Sequence, residues 1–343
     1  MSTAPIRPAD WLHPVQDPIA AVTWSSDHLQ VAYMTTEGVG GILNAATGSS
    51  QTGLKGHAGG AFQIAWHPTE PCIASSGQDG GVRFWDPATG QETANIEGGA
   101  AWVDHLKWSP NGAWLAAGAG RRLSLYHQER KIVVHTLSDH RSTLTALEWR
   151  RDNRAIAVSC YGTVQLYLPE SAKVAETLPW KTSLISLAIS PDNRWVVAGT
   201  QEKSIQIWEL PYRPGEELAM SGYEAKVREL SWHPSGRYLA TGGGRQIMVW
   251  DCGKDGPAGT SPTILDAHSE PVSVLKYQTH GHLLASGSQD GRILFWNVRK
   301  SSNPLKEVAI ESPITALEWS RDDKRVFFGC RNGTLGMIQA PSN

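Results

Sequence analysis

One phrase recurs eight times along this chain, and its spacing limits what the chain can fold into. The phrase is a short apolar run ending, in most copies, on an aromatic: Val22-Thr23-Trp24, Ile64-Ala65-Trp66, Leu106-Lys107-Trp108 and Leu147-Glu148-Trp149. It continues as Leu187-Ala188-Ile189, Leu230-Ser231-Trp232, Leu275-Lys276-Tyr277 and Leu317-Glu318-Trp319. Successive copies end 42, 42, 41, 40, 43, 45 and 42 residues apart. A fixed period of this length means one supersecondary unit, copied, with each copy unable to bury its apolar face alone.

At 343 residues, length alone would allow two domains. Eight units use nearly all of the chain, so we expect one domain over 1–343. Residues 1–18 form an N-terminal closing segment and 19–339 the eight repeats. The formal net charge of -2 supplies no bulk field to recruit nucleic acid or an anionic membrane. Cys72, Cys160, Cys252 and Cys330 fall in different repeats with no C-x-x-C pair, which suits a reducing, cytoplasmic or nuclear compartment. No secretory leader is visible at the N-terminus, and no apolar run is long enough to span a bilayer.

Residues 56 to 97 show what one unit contains. Phe62–Trp66 alternates like a strand, and His67-Pro68-Thr69-Glu70-Pro71 is a turn in which two prolines stop any helix. Residues 72–76 form a second strand, followed by a Gly77-Gln78-Asp79-Gly80 hairpin where Asp-Gly tolerates positive φ. Residues 81–85 are a third strand, Asp86–Gly90 a turn, and residues 91–96 a fourth strand. Fifteen tryptophans are accounted for largely by this unit: six end the phrase, and Trp85, Trp208, Trp250 and Trp296 recur on the third strand. Recurrence at fixed positions makes them core residues.

The Gly56-His57 opening, the Trp85-Asp86 and Trp250-Asp251 endings and the period together resemble the WD-repeat (WD40) family. The resemblance covers essentially the whole chain and implies an all-β propeller of four-stranded antiparallel blades. We expect eight blades, with the ring closed by Asp10–Val15 as the missing outer strand of the last blade; the alternative is seven blades with one degenerate unit outside the ring. The family's hydrogen-bonded set carries over to His57, Ser75, Asp79 and Trp85, and to His268, Ser286, Asp290 and Trp296. That role is structural, linking strands within a blade. Other units depart from the pattern: Tyr161 takes the aspartate column and Tyr167 the tryptophan column beside His140, and Tyr223 lies near a histidine position.

Catalytic signatures are weak. Gly118–Arg122 and Gly242–Arg245 are hairpin turns that match no phosphate loop. His280-Gly281-His282 has no third ligand nearby in sequence, so no metal or cofactor is assigned. The column Thr23, Ala65, Lys107, Glu148, Ala188, Ser231, Lys276, Glu318 should line a solvated, near-neutral channel. In the family the residue before the turn aspartate faces one rim, which gives Thr36, Gln78, Cys160, Gln201, Gln289 and Arg331 here. Entry loops add Trp102, Asp104, Trp180, Lys181, Tyr223 and Arg228. The partner-binding set is therefore Gln78, Trp102, Asp104, Trp180, Gln201, Arg228, Gln289 and Arg331, with aromatics and arginine as anchors. The expected function is a non-catalytic scaffold or adaptor for a protein or peptide, acting alone or as a subunit of a complex. The alternatives are a propeller-based enzyme or metal-handling protein at the channel mouth, and nucleic-acid binding through a local basic rim.

Overall fold

The structure, a computed structural model, describes residues 9–97, 102–253 and 256–342. Among them every regular element is a strand. The second repeat forms Ala61–Trp66, Ile73–Gly77, Gly81–Trp85 and Glu92–Glu97, paired antiparallel in chain order. Gly56 precedes the histidine of this repeat because nothing larger fits: a Cβ there would lie 1.2 Å from the Gly38 carbonyl oxygen. Gly80, at φ 76°, supplies the left-handed residue of the hairpin.

The molecule is a β-propeller of antiparallel blades. Its strands form seven hydrogen-bonded sheets, six of four strands and one of six, rather than eight separate four-stranded sheets. The difference lies in the fourth and fifth repeats. There Val174–Ile189 is one continuous strand of 16 residues. It pairs with Ile156–Tyr167 through its first part and with Trp195–Thr200 through Leu184–Ile189. Extended backbone replaces the loop that elsewhere separates sheets, and Tyr161 pairs across to Ser183. Trp11–Pro14 pairs antiparallel with Thr334–Gln339, placing Trp11 opposite Met337.

The core lies between neighbouring sheets. Ala32, Met34 and Ile42 of the first repeat pack with Ile64, Trp66 and Trp85 of the second. Ile19, Trp24 and Leu43 of the first pack with Phe327 and Leu335 of the last. Four of the phrase-ending tryptophans also bond across the gap to a neighbouring repeat. Trp108 Nε1 donates to Ala65 O (3.2 Å), Trp149 to Lys107 O (3.0 Å), Trp319 to Lys276 O (2.8 Å), and Trp24 to Glu318 O (3.2 Å). Every acceptor is the residue before the aromatic in the adjacent repeat, so the phrase is both core and inter-sheet bond.

Candidate functional site

A recurring backbone bond builds one end of the ring. The N–H groups of Thr36, Gln78, Gln201, Gln289 and Arg331 donate to the carbonyls of Pro18, Gly60, Ser183, Pro271 and Pro313 at 2.8 to 3.1 Å. Each bond ties the second hairpin of a repeat to the start of its first strand, which sets these positions on one rim. In the fourth repeat the hairpin is a residue shorter, and Tyr161 takes this position, donating its N–H to Ser142 Oγ at 2.9 Å. The expected rim residue Cys160 is instead 1% exposed, while Tyr161 is 53% exposed. Tyr161 therefore stands in the rim column, not the aspartate column.

The first strands begin with a β-bulge in six repeats. The register slips between Ile19 and Ala21, Ala61 and Gln63, Val103 and His105, Leu184 and Ser186, Val272 and Val274, and Ile314 and Ala316. The residue before each slip is buried between sheets. The inserted residues are Ala20, Phe62, Asp104, Ile185, Ser273 and Thr315. Bulges re-aim a side chain without ending the strand, and these sit where the first strands enter the ring. The sequence holds a signal for them: Val103 and Leu106, or Ile314 and Leu317, are buried residues three apart where an unbroken strand would place them two apart.

The anticipated site residues lie on several sheets around this end. Trp102 is 59% exposed, with its ring 5.8 Å from Phe62. Asp104 is half-buried, and its enclosed Oδ1 has no hydrogen-bond partner among the described residues. Arg228, Gln289 and Arg331 are exposed, and among the described residues neither arginine has an ion-pair partner. Gln78 folds over Gly59 and Gly60 of its own entry loop, and Gln201 is half-buried. Trp180 is half-buried against a cluster containing Leu178, Leu184 and Trp208, with the Lys181 ammonium 5.4 Å from its ring. Tyr223 is not a surface residue. It is buried, its hydroxyl shares a 2.8 Å bond with Thr241 Oγ1, and it accepts from Trp250 Nε1 at 2.9 Å. It stands in for the histidine of its repeat.

The His–Ser–Asp sets are structural. His57 Nδ1 donates to Asp79 Oδ1 (2.8 Å), while Ser75 Oγ bonds His57 Nε2 (2.8 Å) and accepts from Trp85 Nε1 (2.8 Å). His268, Asp290, Ser286 and Trp296 repeat the chain at 3.0, 2.8 and 2.8 Å. Burial holds both histidines below their usual pKa despite the neighbouring aspartates. Each serine is fully buried and capped by an indole, so no substrate can reach it. His140 makes a third version, with Nε2 3.1 Å from Tyr167 OH and Nδ1 2.9 Å from Arg121 O.

The channel column is less solvated than its composition suggests. Lys107 Nζ donates to Glu148 Oε2 at 2.5 Å. Lys276 keeps exposed surface yet is ringed by protein, which lowers its pKa, with Lys107 adding to the effect. The same enclosure pushes the Glu318 carboxyl up to about 7, against the pull of Lys276. Burial also lifts Glu229 to about 7. At the opposite end, a cavity of about 570 Å3 is lined by Trp24, Trp66, Trp108 and Trp319 with the adjoining turns. Nearby, His282 Nδ1 lies 2.9 Å from His233 Nε2 of the preceding repeat. His280-Gly281-His282 thus finds a cross-repeat partner that sequence spacing could not reveal. Among the described residues no three His, Cys, Asp or Glu side chains group as metal ligands.

The fold and its bonded histidine–tryptophan sets define a repeat propeller with a loop-built mouth. A model of the WD domain, G-beta repeat, matches residues 48–86, 90–127, 174–209, 216–251 and 259–297, and the chain belongs to this WD40 family. The first three strands of the fourth repeat, where the hairpin departs from the pattern, lie outside those matches, as do those of the first and last repeats. Similar proteins include "Telomerase protein component 1" of Rattus norvegicus, 25% identical over 78% of this chain and 11% of the relative. The "B-type cell cycle switch protein ccs52A" of Medicago truncatula is 26% identical over 75% and 54%. The "Guanine nucleotide-binding protein subunit beta" of Arabidopsis thaliana is 23% identical over 68% and 67%. The chain thus spans only a ninth to about two thirds of these relatives. The crystal structure of the computationally designed Ika8 protein superposes with a TM-score of 0.82 at 21% identity, covering 95% of this chain and 98% of that one. That likeness concerns fold alone.

Proposed function

We propose that this protein is a non-catalytic interaction scaffold that receives a protein or peptide partner at the bulged mouth of the ring. The observation that carries the reading is the bulge column. Six strands insert one residue at the same entry position; in the second and third repeats these are Phe62, whose ring lies tilted against the exposed Trp102, and Asp104, whose enclosed Oδ1 has no hydrogen-bond partner among the described residues. Exposed aromatics and arginines are the residues from which interfaces draw most of their energy. Relatives named as subunits or components favour a role within complexes.

We also read 1–343 as one domain in which the six-stranded sheet holds two repeats' worth of the ring. Two separate registers on Val174–Ile189 support this. The pairing of Trp11–Pro14 with the last repeat supports closure of the ring by the N-terminal strand. An intracellular site of action fits four free thiols, of which Cys160, Cys252 and Cys330 are buried.

The test is affinity purification with mass spectrometry on wild type and on Trp102→Ala and Arg331→Ala variants, with folding checked by thermal melts. Loss of the same partner in a folded variant is expected. Undiminished recovery in both would refute binding at this mouth.

A further inference from the structure

The rim is not electrically uniform. Over the third to sixth repeats it carries Arg141, Lys181, Lys226 and Arg228, all exposed. Among the described residues none of these four makes an ion pair, whereas Arg150, Arg194 and Arg237 at the other end are each bonded to a carboxylate. Across the mouth, the seventh, eighth and first repeats present exposed Glu270, Glu311 and Glu37, with Arg331 the one exposed, unpaired cation among the described rim positions there. Acidic side chains do occur in the basic arc, namely Asp104, Asp139, Glu202, Glu224 and the enclosed Glu229 beside Arg228. Glu202 is engaged by Thr182 Oγ1 at 2.7 Å, and His105 lies 3.8 Å from Asp104.

The arc centres on the irregular six-stranded sheet. Between its first hairpin and the neighbouring loop lies a cleft of about 360 Å3, lined by Arg141, Gly162, Thr163, Gln165, Tyr167 and Pro179 among others, with Asp139 its one carboxylate. A Cβ on Gly162 would come within 3.9 Å of Arg141 Nη1 and 3.4 Å of Trp180 O. The cleft, Arg141 and the Trp180–Lys181 pair are therefore contiguous. Tyr161, 53% exposed, sits at the same hairpin.

We infer that this arc docks an acidic peptide segment, its carboxylates on Arg141, Lys181, Lys226 and Arg228 and its apolar side chains on Tyr161 and Trp180. The inference rests on the mouth being the binding surface and deepens it. Charge complementarity selects the class of ligand: unpaired cations flanked by the exposed Tyr161 and the half-buried Trp180 suit a short polyanionic segment with apolar residues. The acidic opposite arc would repel a long uniform polyanion laid across the ring, which disfavours nucleic acid.

A random peptide library displayed on phage, selected on the full chain, tests this. Enrichment of Asp and Glu is expected in the selected sequences. A synthetic peptide from that pool should bind roughly tenfold more weakly to an Arg141→Glu, Lys181→Glu double variant. Lys55→Glu, outside the arc, should leave affinity unchanged. Selected peptides that are neutral or basic and are lost with Trp102→Ala would overturn the acidic class while sparing the mouth. Peptides indifferent to all these variants would overturn both. Tighter retention of a single-stranded oligo(U) than of any peptide at physiological salt would replace the peptide with nucleic acid.

Discussion

At the scale of single residues, the bonded histidine sets decide most about stability. Ser75 Oγ partners both His57 and Trp85 with no exposure to water. Ser75→Ala leaves two buried polar groups unsatisfied, and urea titration should report a loss of about 1–3 kcal/mol. Titration divides the buried groups into two classes. His233 is held at about 4 by burial and by the nearby His282 and Arg299. Its neutral form supports the fold fully above pH 6.5, and that support is lost as the pH falls toward 4. His233→Gln should therefore flatten the acid side of a melting-temperature profile. Glu229 behaves oppositely. Its carboxyl is raised to about 7, so its ionisation destabilises as pH rises from 4.5 through 7. Glu229→Gln should melt with wild type at pH 4.5 and above it, by about a few degrees, at pH 8. A constant offset at both values would remove burial as the cause.

At the scale of elements, the informative piece is the strand before the first repeat. Trp11–Pro14 covers Thr334–Gln339, Trp11 Nε1 donates to Ala45 O at 3.0 Å, and the Trp11 ring lies 6.0 Å from Phe327. Removing residues 1–15 exposes a strand edge bearing Leu335, Met337 and Ile338. Uncovered edges of this kind pair with other chains. The truncated protein should melt lower and self-associate in sedimentation velocity, and a monomer of unchanged melting temperature would contradict the assignment. Pattern reading placed four strands in the second repeat within a residue or two of their observed ends. It failed between the fourth and fifth repeats, because whether a linking segment loops out or pairs across is decided by Tyr161 and Ser183 meeting, and these are 22 positions apart.

At the scale of the molecule, the first sheet packs on the last. Trp24 Nε1 reaches Glu318 O across 294 residues of sequence, in the same geometry by which Trp108 reaches Ala65. With the closure proposed above, the ring has no free terminal blade, so unfolding at one junction opens the rest. Trp24→Phe and Trp108→Phe should each lower the melting temperature while preserving one cooperative transition by calorimetry. A separate early transition confined to Trp24→Phe would mark the first–last junction as a weak seam.

The sequence by itself determined the repeat, the strand order within each repeat and the tryptophan core, which follow from local alternation and turn chemistry copied at a fixed period. The two complete histidine sets came from the family resemblance that those repeats carry. Tertiary structure alone decided that seven sheets carry the repeats and that Tyr161 rather than Cys160 stands on the rim. It also turned Tyr223 inward and paired His233 with His282. Each of these depends on a hydrogen bond or a packing gap between segments far apart in the chain, and residue spacing carries no record of such a meeting.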